Sequence, residues 1–349
     1  MFRIRAMEKS DAAWASALMQ RIFDAGEILY KPLSESDMQA RLFGEGRYGF
    51  VAEAEGGAPV GFAHASALTS FLPGQTHENT PLYLTLLLVD PAQRRKGAGT
   101  ALVERLKQLT GELGKAKLMV SGNNPVHLEW FIPGANGHDH NNAPGVHEDG
   151  MGYPFLMGRG FADYHHEVAM YIDLSKYAWN PELDERVKAL EEEGIFTGVW
   201  QMGMGEEFDG MCDRVGSEYW RNVLRQEIAA WHENRPNSDP EHWPDGRKPA
   251  GPRPILAAVK DGHIIGFTGP VDRQQSGRGW FTGICTDPDF GGKGIATVLF
   301  NRLMQQFVAE GAAFTSLFTG VENHAQKVYL RAGCKPAARW SILVWTAEG

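Results

Sequence analysis

The stretch DPAQRRKGAG (90–99) returns 197 residues later as DPDFGGKGIA (287–296). Each copy opens on Asp-Pro and places a lysine before a glycine, Lys96–Gly97 and Lys293–Gly294, at the same offset. With Asp90 set on Asp287, Leu102 falls on Leu299, Arg105 on Arg302 and Leu106 on Leu303. Two copies, each the size of a full domain, predict a tandem pair rather than a solenoid. A single large α/β domain with chance similarity is the alternative, but it would not repeat motif and element order together. A chain of 349 residues with 43% apolar residues has enough material for two cores.

The order of elements repeats with the letters. Two strand-like runs joined by a turn precede each Asp-Pro: YGFVAEAEGGAPVGFAHASA in the first half, and PILAAVKDGHIIGFTGPV, with an Asp261-Gly262 hairpin signal, in the second. A further strand follows, LYLTLLLVD or WFTGICTD. Past the glycines, leucines at 102, 106 and 109, and Leu299, Leu303 and Phe307, mark one face of an amphipathic helix. Each half then passes through another strand (AKLMVSG, FTSLFTG) and a short helix running into GRGF (158–161) or RAGC (331–334). It ends on a last strand, EVAMYIDL or WSILVW. The expected fold is α/β (α+β): a first domain at 1–175, a linker helix at 176–194 and a second domain at 195–349. Asn-Pro and a charged helical run mark the linker.

Composition narrows the function. A formal charge of −9 argues against a general nucleic-acid binder. No apolar run reaches the roughly 18–20 residues of a membrane span, and the N-terminus lacks the order of a secretory signal. Three scattered cysteines, Cys212, Cys285 and Cys334, argue for a reducing compartment, so the expected location is the cytoplasm.

A strand ending in Asp-Pro, then a loop of glycines and basic residues, then a helix, forms an anion site or an ordinary strand-to-helix turn. Glycines let successive N–H groups face one point, and the helix N-terminus adds partial positive charge. GAGTAL (97–102) lacks the third glycine of a dinucleotide fingerprint, and neither loop carries a G-x-x-x-x-G-K-[ST] phosphate loop.

LLVDPAQRRKGAGTALVERL resembles the acetyl-CoA-binding motif of the GNAT superfamily of N-acetyltransferases, R/Q-x-x-G-x-G/A after a strand. Here the motif is Arg94-x-x-Gly97-x-Gly99 and, with one departure, Gly291-x-x-Gly294-x-Ala296. NHAQKVYLRAGC (323–334) is similar to the family's later segment, with Asn323, Tyr329 and Gly333 in place and Cys334 where Phe is usual. The resemblance covers both halves. It implies two tandem GNAT-like domains, each a mixed, twisted sheet flanked by helices, with acetyl-CoA or another acyl-CoA in the splay between the fourth and fifth strands.

That resemblance also implies the site. Backbone N–H groups of Arg94, Arg95, Lys96, Gly97, Ala98 and Gly99, or of Gly291, Gly292, Lys293, Gly294, Ile295 and Ala296, would hold the pyrophosphate. The main chain of Leu87 and Val89, or Ile284 and Thr286, would pair with the pantetheine arm. Tyr329 takes the position of the acid that protonates the leaving thiolate, with Asn323 beside it; the first half has Leu156 there, which cannot donate. Catalysis is therefore expected in the second half, although family members without this tyrosine keep the opposite assignment open. Asp272, Asp287 and Glu322 are candidate bases, the simpler reading of each being a solvated turn carboxylate. Cys285 as an acyl carrier has no activating His or Asp in its sequence neighbourhood and reads as a small apolar residue.

Two further segments bear on the acceptor. The first half inserts residues 123–152, where His138, Asp139, His140, His147, Glu148 and Asp149 raise a zinc site against a structural loop; turn residues favour the loop and no metal is expected. By the family's topology Trp130 and Phe131 would wall the acceptor cleft. In 206–246, Asp213, Arg214, Glu218, Tyr219 and Trp220 offer charge and aromatic surface for an acceptor, though tryptophans at helical spacing are often core. The expected activity is transfer to a small-molecule amine by direct attack on the thioester, in a monomer or homodimer, with neither nucleic acid nor membrane as partner. The rival is a non-catalytic acyl-CoA sensor.

Overall fold

The computed structural model describes residues 2–237 and 251–347. The chain divides into two compact units, Met1–Ala169 with Ala338–Gly349, and Met170–Ala337. Among the described residues no helix is long and apolar enough to cross a membrane.

In the first unit, β1 (Arg3–Ala6), α1 (Ala12–Asp24), α2 (Glu35–Arg41), β2 (Arg47–Glu53), β3 (Pro59–Ser66), β4 (Leu82–Val89), α3 (Ala98–Glu112) and β5 (Lys117–Val120) build the frame. The inserted segment contributes three short strands, β6 (Trp130–Phe131), β7 (Asp139–His140) and β8 (Val146–His147), before α4 (Gly152–Met157) and β9 (Ala162–Asp173). The strands stand in the order β1-β2-β3-β4-β5. Alternation along β2 and β3 feeds two apolar clusters, one with Leu102, Val103 and Leu106 of α3, the other with Leu18, Met19 and Ile22 of α1. β4 and β5 run parallel and pair at Leu82–Leu118 and Tyr83–Met119. Between β3 and β4, His64 faces Leu86 while Ala65 faces Leu84, so Thr85 is an extra, bulged residue that bends β4.

The second unit repeats this frame. Its elements are α5 (Glu182–Glu192), β10 (Phe196–Val199), α6 (Asp209–Val215), α7 (Glu218–His232), β11 (Leu256–Lys260), β12 (His263–Gly269), β13 (Asp272–Arg273), β14 (Arg278–Trp280), β15 (Gly283–Thr286), α8 (Ile295–Ala309), β16 (Phe314–Gly320), α9 (Gln326–Arg331) and the start of β17 (Lys335–Thr346). The hairpin between β11 and β12 turns at Asp261 (φ 51°) and Gly262 (φ 82°), two left-handed residues in succession, as Asp-Gly favours. On α8, Leu299, Leu303 and Phe307 are fully buried.

Two features depart from the expectation. The strand WFTGICTD is split: β14 pairs parallel with β16 at Arg278–Phe314, whereas β15 pairs with β12 at Ile284–Thr268. The break falls at Phe281 and Thr282, just before Gly283 (φ 155°), where an added Cβ would lie 2.5 Å from the Trp220 ring. The compact units also cut the chain differently from boundaries at 175, 194 and 349. β17 runs antiparallel to β5, with Leu343 opposite Val120 and Trp345 opposite Leu118, so the last strand of the chain completes the sheet of the first unit. The last four residues of β9, Met170–Asp173, belong to the second unit.

Candidate active site

The two glycine loops have the same backbone. Asp90 and Asp287 each cap a one-turn 3-10 helix, with φ/ψ of −50°/125° and −56°/124°, and accept the amide proton of Ala92 (3.0 Å) and Asp289 (3.1 Å). Arg94 (−64°/161°) corresponds to Gly291 (−59°/152°). Arg95 has φ +62° and Gly292 +77°; Gly97 and Gly294, at +98° and +84°, are the N-caps of α3 and α8. The second loop therefore carries a glycine at the left-handed position where the first strains an arginine. Amides in a left-handed turn that leads into a helix start have the geometry that suits an anion.

The side chains around the loops differ. Arg94 folds back onto the end of β4: its Nε donates to the Val89 carbonyl at 3.1 Å, and its guanidinium pairs with Glu27 at 2.5 Å. Val89 O is one of the two strand acceptors expected for a pantetheine arm, so Arg94 competes for it. In the second loop Gly291 has no side chain to reach the matching Thr286 carbonyl. The Thr286 hydroxyl, moreover, is buried without a hydrogen-bond partner. An orphaned polar atom on the cleft strand suits an amide-bearing arm.

Behind the second loop, Asp287 is fully buried and held by both ends of the Arg214 guanidinium, at 2.8 and 2.5 Å. The Arg214 hydrogen bonds hold its carboxyl below the usual range. Asp287 is thus an anchored loop support, neither the solvated carboxylate nor the base considered from sequence. Asp272 is likewise buried, paired to Arg253 at 3.0 Å, and Arg253 also binds the buried Glu227 at 2.5 Å. Glu322 is exposed. Arg214 proves to be a partner of the loop; Asp213 and Glu218 are both taken up by Arg221. Tyr219 is exposed and Trp220 packs edge-on against Phe267. The part of the proposed acceptor segment at 238–246 lies outside the described residues.

Tyr329 stands on α9, buried at 6% exposure, with its ring 4.8 Å from that of Phe300 on α8. Burial pushes its hydroxyl up to about 12, so it stays protonated and able to donate near neutral pH. Its carbonyl accepts from the Cys334 amide at 3.0 Å, and the Leu156 carbonyl accepts from Phe161 at 3.2 Å. The two residues therefore hold equivalent places, and only the second unit has a phenol there. Asn323 is exposed, and its Oδ1 accepts from the Ala325 amide at 2.9 Å, shaping the turn into α9. Cys285 is buried, and burial pushes its thiol up to about 12, which suits an inert packing residue.

In the inserted segment, Trp130 is fully buried, donates Nε1–H to the Asn142 carbonyl at 2.9 Å, and meets Trp340 edge-on at 4.9 Å. It is core, which removes it as a wall of an acceptor cleft. Among the described residues no group of three or more His, Cys, Asp or Glu is placed to hold a metal ion.

The comparisons with known proteins follow this geometry. The model of the Acetyltransferase (GNAT) family matches twice, at residues 15–127 and 218–334. No curated protein matches the chain. Among solved structures, a GCN5-related N-acetyltransferase from Sphaerobacter thermophilus is similar at 18% identity and a TM-score of 0.52, over 99% of this chain and 95% of that one. A tandem GNAT protein from the clavulanic acid biosynthesis pathway is similar at 16% identity and a TM-score of 0.53, over 100% and 99%. A fungal multi-domain GH3 β-N-acetylglucosaminidase with a GCN5-related glucosamine N-acetyltransferase region gives 16% identity and a TM-score of 0.63. That match covers 99% of this chain, which spans 38% of the fungal protein. At these identities the likeness is one of fold.

Proposed function

Since the chain belongs to the acetyltransferase (GNAT) family through both of its halves, and is an acyltransferase, we propose that its second unit transfers an acetyl group from acetyl-CoA to the amine of a small-molecule acceptor. The observation that carries this assignment is Tyr329, a buried, protonated phenol at a position where the first unit has Leu156. The second cradle supports it: the loop amides at Gly292–Ala296 and the α8 N-terminus suit a pyrophosphate, and Gly291 leaves the Thr286 carbonyl open to the pantetheine arm.

The chemistry then runs by direct displacement. The acceptor nitrogen, as free amine, attacks the thioester carbonyl carbon; the new C–N bond forms and the C–S bond breaks. Tyr329 donates its proton to the departing thiolate and regains one from solvent, while the nitrogen releases one proton to solvent or to a relay. A free amine is required because an ammonium of pKa near 10 has no lone pair to offer. Buried and ion-paired, Asp272 and Asp287 are poor recipients of that proton, and a water relay fits better.

Thiol release from acetyl-CoA, followed across a panel of small primary amines, tests the reading. It predicts amine-dependent release with at least one acceptor. Tight CoA binding without turnover on a broad panel would instead make the chain a sensor.

A further inference from the structure

Helix α5 reads in sequence as a linker, but it packs against α8 and β10 in the second unit and reaches the glycine loop. Arg186 Nη1 donates to the Lys293 carbonyl at 3.5 Å. Its side chain lies flat on Gly294: a Cβ built there would stand 2.6 Å from Arg186 Cδ. Glu193, just past the end of the helix, holds the Lys293 ammonium at 2.5 Å. A guanidinium beside a helix N-terminus faces the positive end of the macrodipole, a like-charge arrangement that turns favourable when an anion lies between them. The first loop carries its own Arg94 and Arg95; the second has glycine at both places, and its one lysine is already paired with Glu193.

We propose that Arg186 is a ligand for the pyrophosphate of the acyl-CoA, a cation brought to the second loop from outside it, making α5 part of the co-substrate site of the second unit. This rests on the reading of that unit as an acyl-CoA site. Arg186 reaches the loop from outside it, so its charge-assisted hydrogen bonds complement the backbone amides. Gly294 is then required for two reasons: its left-handed φ and the room it leaves for Arg186.

The test is amide hydrogen exchange on the intact chain titrated with CoA, with peptides over 287–299 and 90–102 read separately. Arg186→Ala should raise the CoA concentration that half-protects 287–299 by about tenfold, and Arg186→Lys should restore part of the loss. With S-acetylpantetheine, which has no phosphates, wild type and variant should give the same response. An unchanged or lowered half-protection point for CoA in Arg186→Ala overturns the proposal, the latter by making Arg186 an obstruction. An equal loss with S-acetylpantetheine overturns it too, since that marks a structural role. If 287–299 in the wild type is unprotected at any CoA concentration, the underlying assignment of the second unit fails instead.

Discussion

Tyr329 and Leu156 occupy equivalent places in the two halves: each carbonyl accepts the amide proton five residues on, at 3.0 and 3.2 Å, on a helix that then turns through a left-handed glycine, Gly333 or Gly160. The repeat thus keeps its backbone at a point where its side chains differ. A phenol, which can donate a hydrogen bond, stands in one copy and an isobutyl group, which cannot, in the other.

The Arg214–Asp287 pair should tie loop stability to acid. Asp287 titrates below its unfolded value, so its contribution is present above about pH 4, the ordinary range of an aspartate, and is lost as pH falls through the lower native value. Arg214→Ala leaves a buried carboxylate without its cation and should destabilise the second unit at neutral pH. Urea unfolding of the variant at pH 7 and pH 3 checks both parts: the gap from wild type should shrink at pH 3.

Leu343→Ala should loosen the first unit although the residue lies near the end of the chain. Leu343 is fully buried in the cluster that contains Leu82 and Leu118, opposite Val120 on β5. A cavity of this kind costs about 2–5 kcal/mol. Hydrogen exchange in Lys117–Val120 should accelerate more than in β11 and β12; the reverse order would contradict the strand assignment.

Cys285→Ala should keep turnover within about twofold. A thiol pushed up to about 12 by burial is not a thiolate at pH 7 and cannot carry the acyl group. Intact mass measured during turnover should show no acetylated enzyme in wild type.

Gly294→Ala should weaken CoA binding by more than its left-handed φ alone explains, because the added methyl displaces Arg186. Gly292→Ala is the control: it has a similar φ and nothing within 4 Å of the added Cβ. Calorimetric CoA titrations of the two variants should differ, with Gly294→Ala the weaker binder.

The repeat made the frame legible because glycines, turn pairs and apolar periodicity act locally. Asp261-Gly262 forms its turn from its own φ preferences, and Leu299, Leu303 and Phe307 define the buried face of α8 by spacing alone. Pairing across the chain left no such mark. Periodicity shows that WSILVW is a strand but not that it lies beside β5. Asp287 looks like any turn aspartate until Arg214, 73 residues earlier, closes on it. Arg186 looked like linker surface because its contact with Lys293 spans 107 positions. Trp130 lies in a loop of turn residues, and its burial against Trp340, 210 positions later, is what makes it core.

The most direct measurement of the central claim is the turnover of Tyr329→Phe against wild type, with an acceptor found in the amine panel. The ring and its contact with Phe300 remain, so folding is preserved while the proton donor is removed. The account predicts a fall in kcat of about a hundredfold or more with little change in KM for acetyl-CoA. In the wild type, no loss of rate from tyrosine ionisation should appear below about pH 11, given a hydroxyl pushed up to about 12. A kcat that survives Tyr329→Phe unchanged would contradict the assignment of catalysis to the second unit through this residue.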